Sequence, residues 1–399
     1  MMRVSTANAF AASVSSLQRR QQDLTDANER LTNGKRVMQA SDDPTAAARA
    51  ERARALMQRT DATQRALDAS RNSMTLTEAA LADGGELLQQ ARELLASAGN
   101  ASFTDAERRD VANQITAIRN QLLGVANRSD GTGGYIFAGQ GASQPPFIDR
   151  PGGVGYVGTG GEVRVASEEP LPLTLDGHQT WLSANTGNGV FVTRPLNSGT
   201  AWIDTGRVTN PQELTGATYT IEFTDLAPGQ KVYSILRDGV ATGVFQAPFD
   251  PTKAIEIDGM AVNISGTPSA GDAFEIAPSQ PNLTVFQALD KVIAELKTPN
   301  RGNTAVTQTI QSGLRDIDSV RNHLQSARSM TGEMLTRIDG AEVRVQDLKL
   351  FSENTRSAAE DLDMIKAISD FQNKQSGYQA ALQTYSSMQR MSLFDYIKT

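Results

Sequence analysis

Residues 364–397 read MIKAISDFQNKQSGYQAALQTYSSMQRMSLFDYI, and residues 10–31, at the opposite end, read FAASVSSLQRRQQDLTDANERL. In the first stretch Met364, Ile368, Phe371, Gln375, Tyr378, Leu382 and Tyr385 recur at alternating steps of four and three, which places them on one stripe of a helix. Ala7, Phe10, Val14, Leu17, Gln21, Leu24, Asn28 and Leu31 repeat the pattern near the start. Two seams of period 3.5, each interrupted by a polar residue or two, are what paired helices need. The spacing therefore predicts that the two ends lie side by side.

Working outward, 399 residues allow two or three domains with real cores. Only 39% of residues are hydrophobic and 6% aromatic, which favours narrow helical packing over one large globular core. A net charge of −7 and a pI near 5.1 argue against a nucleic-acid partner, which needs a basic face. With no cysteine, disulfides, thiol nucleophiles and cysteine-ligated metals are excluded. Residues 1–18 mix Ser, Thr and Asn with Ala and lack the apolar run of a secretory signal. No stretch approaches the ~18 apolar residues of a membrane span.

Proline placement divides the chain. Thirteen of fifteen prolines fall between Pro145 and Pro281; Pro44 and Pro299 are the others. Because proline costs about 3 kcal/mol inside a helix, both flanks can be long helices and the middle cannot. Residues 140–280 hold seven basic against fifteen acidic residues, so the chain's acidity belongs to this insert.

On the N-terminal flank a helix is predicted from Ser5 to Asn33, about 43 Å long, stopped by Gly34, which suits a left-handed cap. Asp43 and Pro44 then cap and open a second helix, in which Leu56, Leu67, Met74, Leu81, Leu88 and Leu95 continue a heptad-like register to Ala98. Gly84-Gly85 is expected to weaken or kink it. Thr104 and Glu107 have capping-box spacing before the stripe Val111, Ile115, Ile118, Leu122 and Val125. Beyond a turn-rich passage, Tyr135-Ile136-Phe137 reads as a short strand.

In the insert, residues 162–165, 219–223, 232–235, 254–257 and 273–276 alternate apolar and polar side chains, with Asp238-Gly239, Asp258-Gly259 and Gly271-Asp272 as turns. This predicts a sandwich or partly closed barrel whose core holds Trp181, Phe191, Val192 and Trp202. Helical patterning resumes after Pro281. Val285, Leu289, Val292 and Leu296 mark a short helix, and a long one from Thr304 to Thr355 carries Ile310, Leu314, Ile317, Leu324, Leu335, Ile338 and Val345. The fold class is therefore α+β, a long antiparallel helical rod built from both chain ends with an inserted, mainly antiparallel β domain. The expected divisions are a terminal helix and connector (1–44), half of the rod (45–139), the β insert (140–281), the other half of the rod (282–357) and a C-terminal helix (358–399).

Signals of chemistry are sparse. Gly153 to Gly158 matches G-x-G-x-x-G, but it follows prolines and opens into glycines instead of a helix. His178 and His323 are far apart in sequence and have no cysteine companions, which argues against a metal site or a histidine triad. Glu360, Asp361 and Asp363 read as a solvated acidic face. No catalytic, cofactor-binding or metal residue is assigned.

Residues 28–37 (NERLTNGKRV), followed by Ala40-Ser41-Asp42-Asp43-Pro44, resemble the N-terminal core segment of flagellins and their hook–filament junction relatives. Gly134-Tyr135-Ile136-Phe137-Ala138-Gly139 and Met391-Ser392-Leu393-Phe394-Asp395-Tyr396 are similar to the junction members of that family. The resemblance covers about residues 1–139 and 282–399 and implies a structural protein without enzymatic activity or cofactor. It implies a homo-oligomeric ring with hook-associated protein 1 on the hook side and flagellin on the filament side. It further implies export through the flagellar type III channel without a cleavable signal, an export chaperone at the C-terminal helix, and an extracellular place on the flagellum.

The family's terminal helices are disordered in the free subunit and pair on assembly. By that resemblance the assembly interface is expected at Phe10, Val14, Leu17, Leu24 and Leu31 against Met364, Ile368, Phe371, Tyr378, Leu382 and Tyr385, extended by Leu393 and Phe394. A filament-forming flagellin and a glycan-binding or hydrolytic β domain on a helical stalk remain open as alternatives.

Overall fold

The structure is a computed structural model that describes residues 6–141, 144–164, 171–197, 199–227 and 229–397, with side chains described from 8 to 387 apart from Ala9. Its elements in chain order are α1 (Thr6–Asn33), α2 (Pro44–Ala98), α3 (Asp105–Ala126), β1 (Phe147–Arg150), β2 (Gly153–Tyr156), α4 (Gly177–Leu182), β3 (Phe191–Asn197), β4 (Ala201–Ile203) and β5 (Arg207–Val208). They continue with β6 (Tyr219–Ala227), β7 (Gln230–Arg237), β8 (Val240–Ala241), β9 (Ala247–Pro248), β10 (Ile255–Ile257), β11 (Met260–Val262), β12 (Ile264–Gly266) and β13 (Ala273–Pro278), then α5 (Val285–Lys297), α6 (Asn303–Glu360) and α7 (Met364–Ile397). The chain divides into two compact units, residues 66–340 and residues 1–65 with 341–399; α2 and α6 each run through both.

Within residues 66–340 the helical stripes do what their spacing requires. Leu81, Leu88 and Leu95 of α2, Ile115, Ile118 and Leu122 of α3, Phe286, Leu289 and Val292 of α5, and Ile310, Ile317 and Leu324 of α6 form one buried core. Helix α3 opens with the predicted capping box. The Thr104 N–H donates to the Glu107 carboxylate at 2.6 Å, and the Glu107 N–H donates to Thr104 Oγ1 at 3.3 Å. Arg92–Asp318 (2.7 Å), Arg328–Glu78 (2.6 Å) and Arg71–Asp339 set α2 and α6 antiparallel. As half-exposed pairs each contributes only ~0–1 kcal/mol, so they set register while the core supplies stability.

Several expectations fail here for identifiable reasons. Tyr135 to Phe137 is a turn, not a strand; Ile136 and Phe137 are buried among the helices. Trp181 lies on α4 and belongs to the helical core, stacked with Phe286 at 6.4 Å and edge-on to Phe137 at 5.4 Å. It explains Gly84-Gly85: α2 is uninterrupted there, and a Cβ on Gly84 would lie 3.1 Å from the indole. Gly84 clears room for an aromatic ring instead of making a hinge, while Gly85 has no neighbour within 4 Å of where a Cβ would stand. The G-x-G-x-x-G run is strand β2, hairpinned to β1 (Phe147↔Tyr156), with no helix after it. Of the expected strand 162–165, Arg164 makes only an isolated bridge to Pro172, and Val165 lies outside the described residues.

The β region proper starts at β3. Strands β3-β13-β6-β7-β8 form one antiparallel path with β9 beside β7; β10-β11-β5 and β12-β4 form two smaller antiparallel sheets. Phe191, Ile203, Tyr219, Ile221, Phe223, Ile235, Ile255, Val262, Phe274 and Ile276 fill the space between them. The path ends at β3 and β8 without closing, so this is a sandwich and not a barrel. Its hairpins at Asp238-Gly239 and Asp258-Gly259 have all four residues at positive φ (49°, 79°, 38° and 77°), the two-residue turn that sequence anticipated. Trp202 is not in this core. It is half-buried on β4 between buried Ala201 and Ile203, because alternation turns its side chain to the opposite face; Val192 is likewise half-buried.

Candidate assembly interface

In the unit of residues 1–65 and 341–399, α1 and α7 run antiparallel. Near the chain ends Phe10 and Tyr385 meet with ring centroids 5.6 Å apart. Further along, the Lys374 ammonium donates to the Asp23 carbonyl at 3.5 Å. A Cβ on Gly377 would come within 2.8 Å of the Arg20 guanidinium, so this glycine lets the arginine cross the pair. Gly34, at φ 67°, ends α1 as its sequence predicts.

Val14, Leu17, Leu24, Leu31, Phe371, Tyr378 and Tyr385 are half-buried on the seam. Phe10, Met364, Ile368 and Leu382 remain exposed, at 46, 45, 46 and 41%. Leu393 and Phe394 lie outside the described side chains. Among the described side chains of α1 and α7 not one is buried. Two helices cover only one side of each other's stripe, so the apolar surface is half removed from water. Burying a side chain of this size fully is worth about 1.5–3 kcal/mol, and much of that is unrealised here. Ile365, 87% exposed, was missed because it stands one residue off the stripe, about 100° around the helix.

The root of the pair is fixed differently. Gly34 accepts from the Leu362 N–H at 2.9 Å, and Glu360 O accepts from the Arg36 N–H at 2.7 Å. The Glu360 carboxylate is buried and meets Arg54, Arg356 (2.5 Å) and Lys35 (3.5 Å). The acidic run 360–363 is therefore not a uniformly solvated face: α6 stops at Glu360, whose side chain turns inward to three cations drawn from the α1–α2 connector, α2 and α6. Asp42 accepts from the N–H groups of Gln39 and Met38, and Asp43 caps α2 by accepting from Ala46 N–H at 3.0 Å. These backbone donors hold both carboxyls below the usual carboxylate range, with Arg30 and Arg36 adding to the effect. Val37, Ala46, Ala50 and Ala359 close a small apolar cluster beneath them.

Elsewhere several polar side chains are paired between elements. Arg119 is buried between Asp290 (2.8 Å) and Asp149, whose carboxyl it holds below the usual range. A cleft of about 710 Å³ beside it is lined by Arg150, Arg194, Lys291, Arg315 and Asp316. His323 Nε2 sits 2.8 Å from the Gln179 carbonyl, and His178 Nδ1 on α4 lies 3.3 Å from Oγ of Ser183, the residue that caps that helix. Among the described residues no three His, Asp or Glu side chains converge as metal ligands, and no helix is long and apolar enough to cross a membrane.

Residues 4–142 match the bacterial flagellin N-terminal helical region, and residues 314–397 match the bacterial flagellin C-terminal helical region. The chain is 26% identical to flagellar hook-associated protein 3 of Salmonella typhimurium over 98% of this chain and 99% of that protein. Its fold is similar to the crystal structure of flagellar hook-associated protein 3 from Legionella pneumophila, with a TM-score of 0.72, 27% identity, and coverage of 76% of this chain and 97% of that one. It is also similar to Xanthomonas campestris FlgL, with a TM-score of 0.68, 27% identity, and coverage of 77% and 99%.

Proposed function

This chain belongs to the bacterial flagellin family, whose two helical regions it carries at its ends, and from that membership we propose that it is the structural subunit joining the hook side of the flagellum to the flagellin filament. The observation that carries the reading is the paired α1 and α7, which fall in the two family regions and have no buried side chain among those described. Such a pair is marginal alone and gains what it lacks from neighbours. Several copies in a ring, each presenting Phe10, Val14, Leu17, Leu24, Leu31, Met364, Ile368, Phe371, Tyr378, Leu382 and Tyr385, would bury on assembly what one chain leaves half wet. Leu393 and Phe394 extend the same stripe in sequence.

The partners follow from this role: hook-associated protein 1 on one side, flagellin on the other, and before export a chaperone shielding the C-terminal stripe. The place of action is the extracellular flagellum, reached by type III export. Electron microscopy of a deletion strain tests the function. Hooks without filaments, with flagellin still released to the medium and filaments restored by this chain, are expected; filaments on the deletion strain would overturn it. Long filaments grown by the purified chain alone would instead make it a flagellin. Removal of residues 360–399 is expected to abolish chaperone binding in a pull-down.

A further inference from the structure

In the unit of residues 1–65 and 341–399, large and small side chains are inverted relative to an ordinary amphipathic helix. The buried positions of α2 and α6 there are Ala46, Ala50, Ala53, Thr60, Ala341, Ser352, Ala359 and Glu360, small apart from the glutamate. Three large apolar residues of α6 face out: Val343 is 58% exposed, Leu350 59% and Phe351 65%. Val343, Asp347, Leu350 and Asn354 step by four, three and four, with Phe351 beside them. This stripe is offset by two residues from buried Ala341 and Ser352 and half-buried Val345, or about 200° around the helix. It is therefore a second seam, facing away from α2.

Helix α2 carries a second seam of its own. Thr45, Ala48, Arg52, Ala55 and Arg59 step by three, four, three and four, and all are exposed. Ala48, Arg52 and Ala55 sit two residues from one or more of buried Ala46, Ala50 and Ala53, while Thr45 and Arg59 adjoin Ala46 and Thr60. The two outer seams are unlike and complementary. One presents Val, Leu and Phe knobs around Asp347; the other presents alanine gaps flanked by Arg49, Arg52 and Arg59. Among the described residues these three arginines and Asp347 make no ion pair.

We propose that these two seams dock on one another between copies of this chain, the outer face of α6 (Val343, Asp347, Leu350, Phe351) seating on the outer face of α2 (Ala48, Arg52, Ala55, Arg59) of a second copy. Because the two patches differ, the contact is head-to-tail: each copy keeps one of each patch free, so the association propagates until it closes as a ring. The occupant is set by charge and shape together. A large-knobbed stripe centred on the Asp347 carboxylate fits a small-residue stripe flanked by Arg52 and Arg59, whereas the α2 patch against itself would oppose arginines and leave the alanine gaps empty. The inference rests on the multi-copy reading above and adds an interface separate from the terminal helices.

The chain has no cysteine, so introduced thiols report cleanly. Flagella are to be purified from cells in which this chain is replaced by Ala55→Cys, Phe351→Cys, or both, then oxidised and run on a non-reducing gel, with an antibody reporting whether the chain is present. The double variant is expected to give a ladder of linked multimers. Each single variant is expected to give no more than traces of dimer, since a disulfide needs Cα atoms within about 7 Å. Adding Arg52→Glu should cut the ladder about tenfold, and adding Asp347→Arg to that should restore it. Absence of the chain from the flagella would remove the proposed function and this inference with it. Presence without a ladder, or equal dimers from the single variants, would remove this inference alone. Flagella in which Arg52→Glu leaves the ladder unchanged would also overturn it.

Discussion

The helical core around Trp181 and the α1–α7 pair are built by the same rule and finish differently. In both, apolar side chains recur at helical spacing. In the core four helices share the stripes, so Leu88, Leu95, Ile115, Leu122, Phe286 and Leu289 are buried with 0% exposure. In the terminal pair each stripe has one partner and stays half wet. Periodicity shows that a helix has a face to cover; how completely it is covered depends on how many neighbours arrive. The core has all of them within one chain, and the terminal pair does not.

The largest expected effect breaks the finished side of that comparison. Trp181→Ala should cost about 3–5 kcal/mol in urea denaturation of the unit spanning 66–340, because α2, β1, α5 and the turn at Phe137 close on the indole and cannot collapse into its space. A loss below about 1 kcal/mol would mean that the core is not continuous at that ring. Next, Glu360→Gln keeps the shape but leaves three cations without their buried carboxylate. About 1–3 kcal/mol should be lost locally, read as faster amide exchange at residues 34–37 and 359–362. Unchanged exchange there would show that the backbone bonds alone hold the root.

Leu17→Ala sharpens the other side. In the dilute chain it should cost less than about 1 kcal/mol, since the side chain is only half-buried. In cells it should impair filament attachment out of proportion to that figure. A cost of 3 kcal/mol or more in the dilute chain would mean that the pair is already complete. The smallest effect is from pH. Glu107 caps α3 and Asp43 caps α2, and backbone N–H donors hold both carboxyls below their ordinary 4.5 and 3.8. Depressed folded values mean that their contribution is fully present above the unfolded values and is lost as pH falls through the folded ones. Helix-start resonances near residues 46 and 107 should therefore be constant from neutral pH down through the ordinary carboxylate range and shift only below it. Titration near neutral pH would assign the caps to other groups.

Much of this was legible in sequence, and the misses share a cause. Gly34, the Thr104 capping box, Pro44 and the Asp-Gly hairpins were readable because each acts through its own backbone. Leu17 and Tyr378 were readable as seam positions because helical spacing is local. Trp181 was misplaced because its segment is short and rich in glycine and proline, and only tertiary contact assigns it to the helices. Gly84 looked like a weak point because its reason, an indole ring 97 residues away in the chain, carries no local signal. Glu360 was read as surface because its three cationic partners come from two distant segments and one helical turn. Val343, Leu350 and Phe351 carry no distinct signal in sequence, because a second, outward stripe cannot be told from the first until the inner face is known.

Hydrogen exchange on the full chain in dilute solution tests the central claim most directly. The account predicts that amides of residues 6–33 and 364–397 exchange orders of magnitude faster than those of 111–122 and 286–293, and that they become protected when the chain is assembled in flagella. Equal protection of the terminal helices and the Trp181 core in the dilute chain would contradict it.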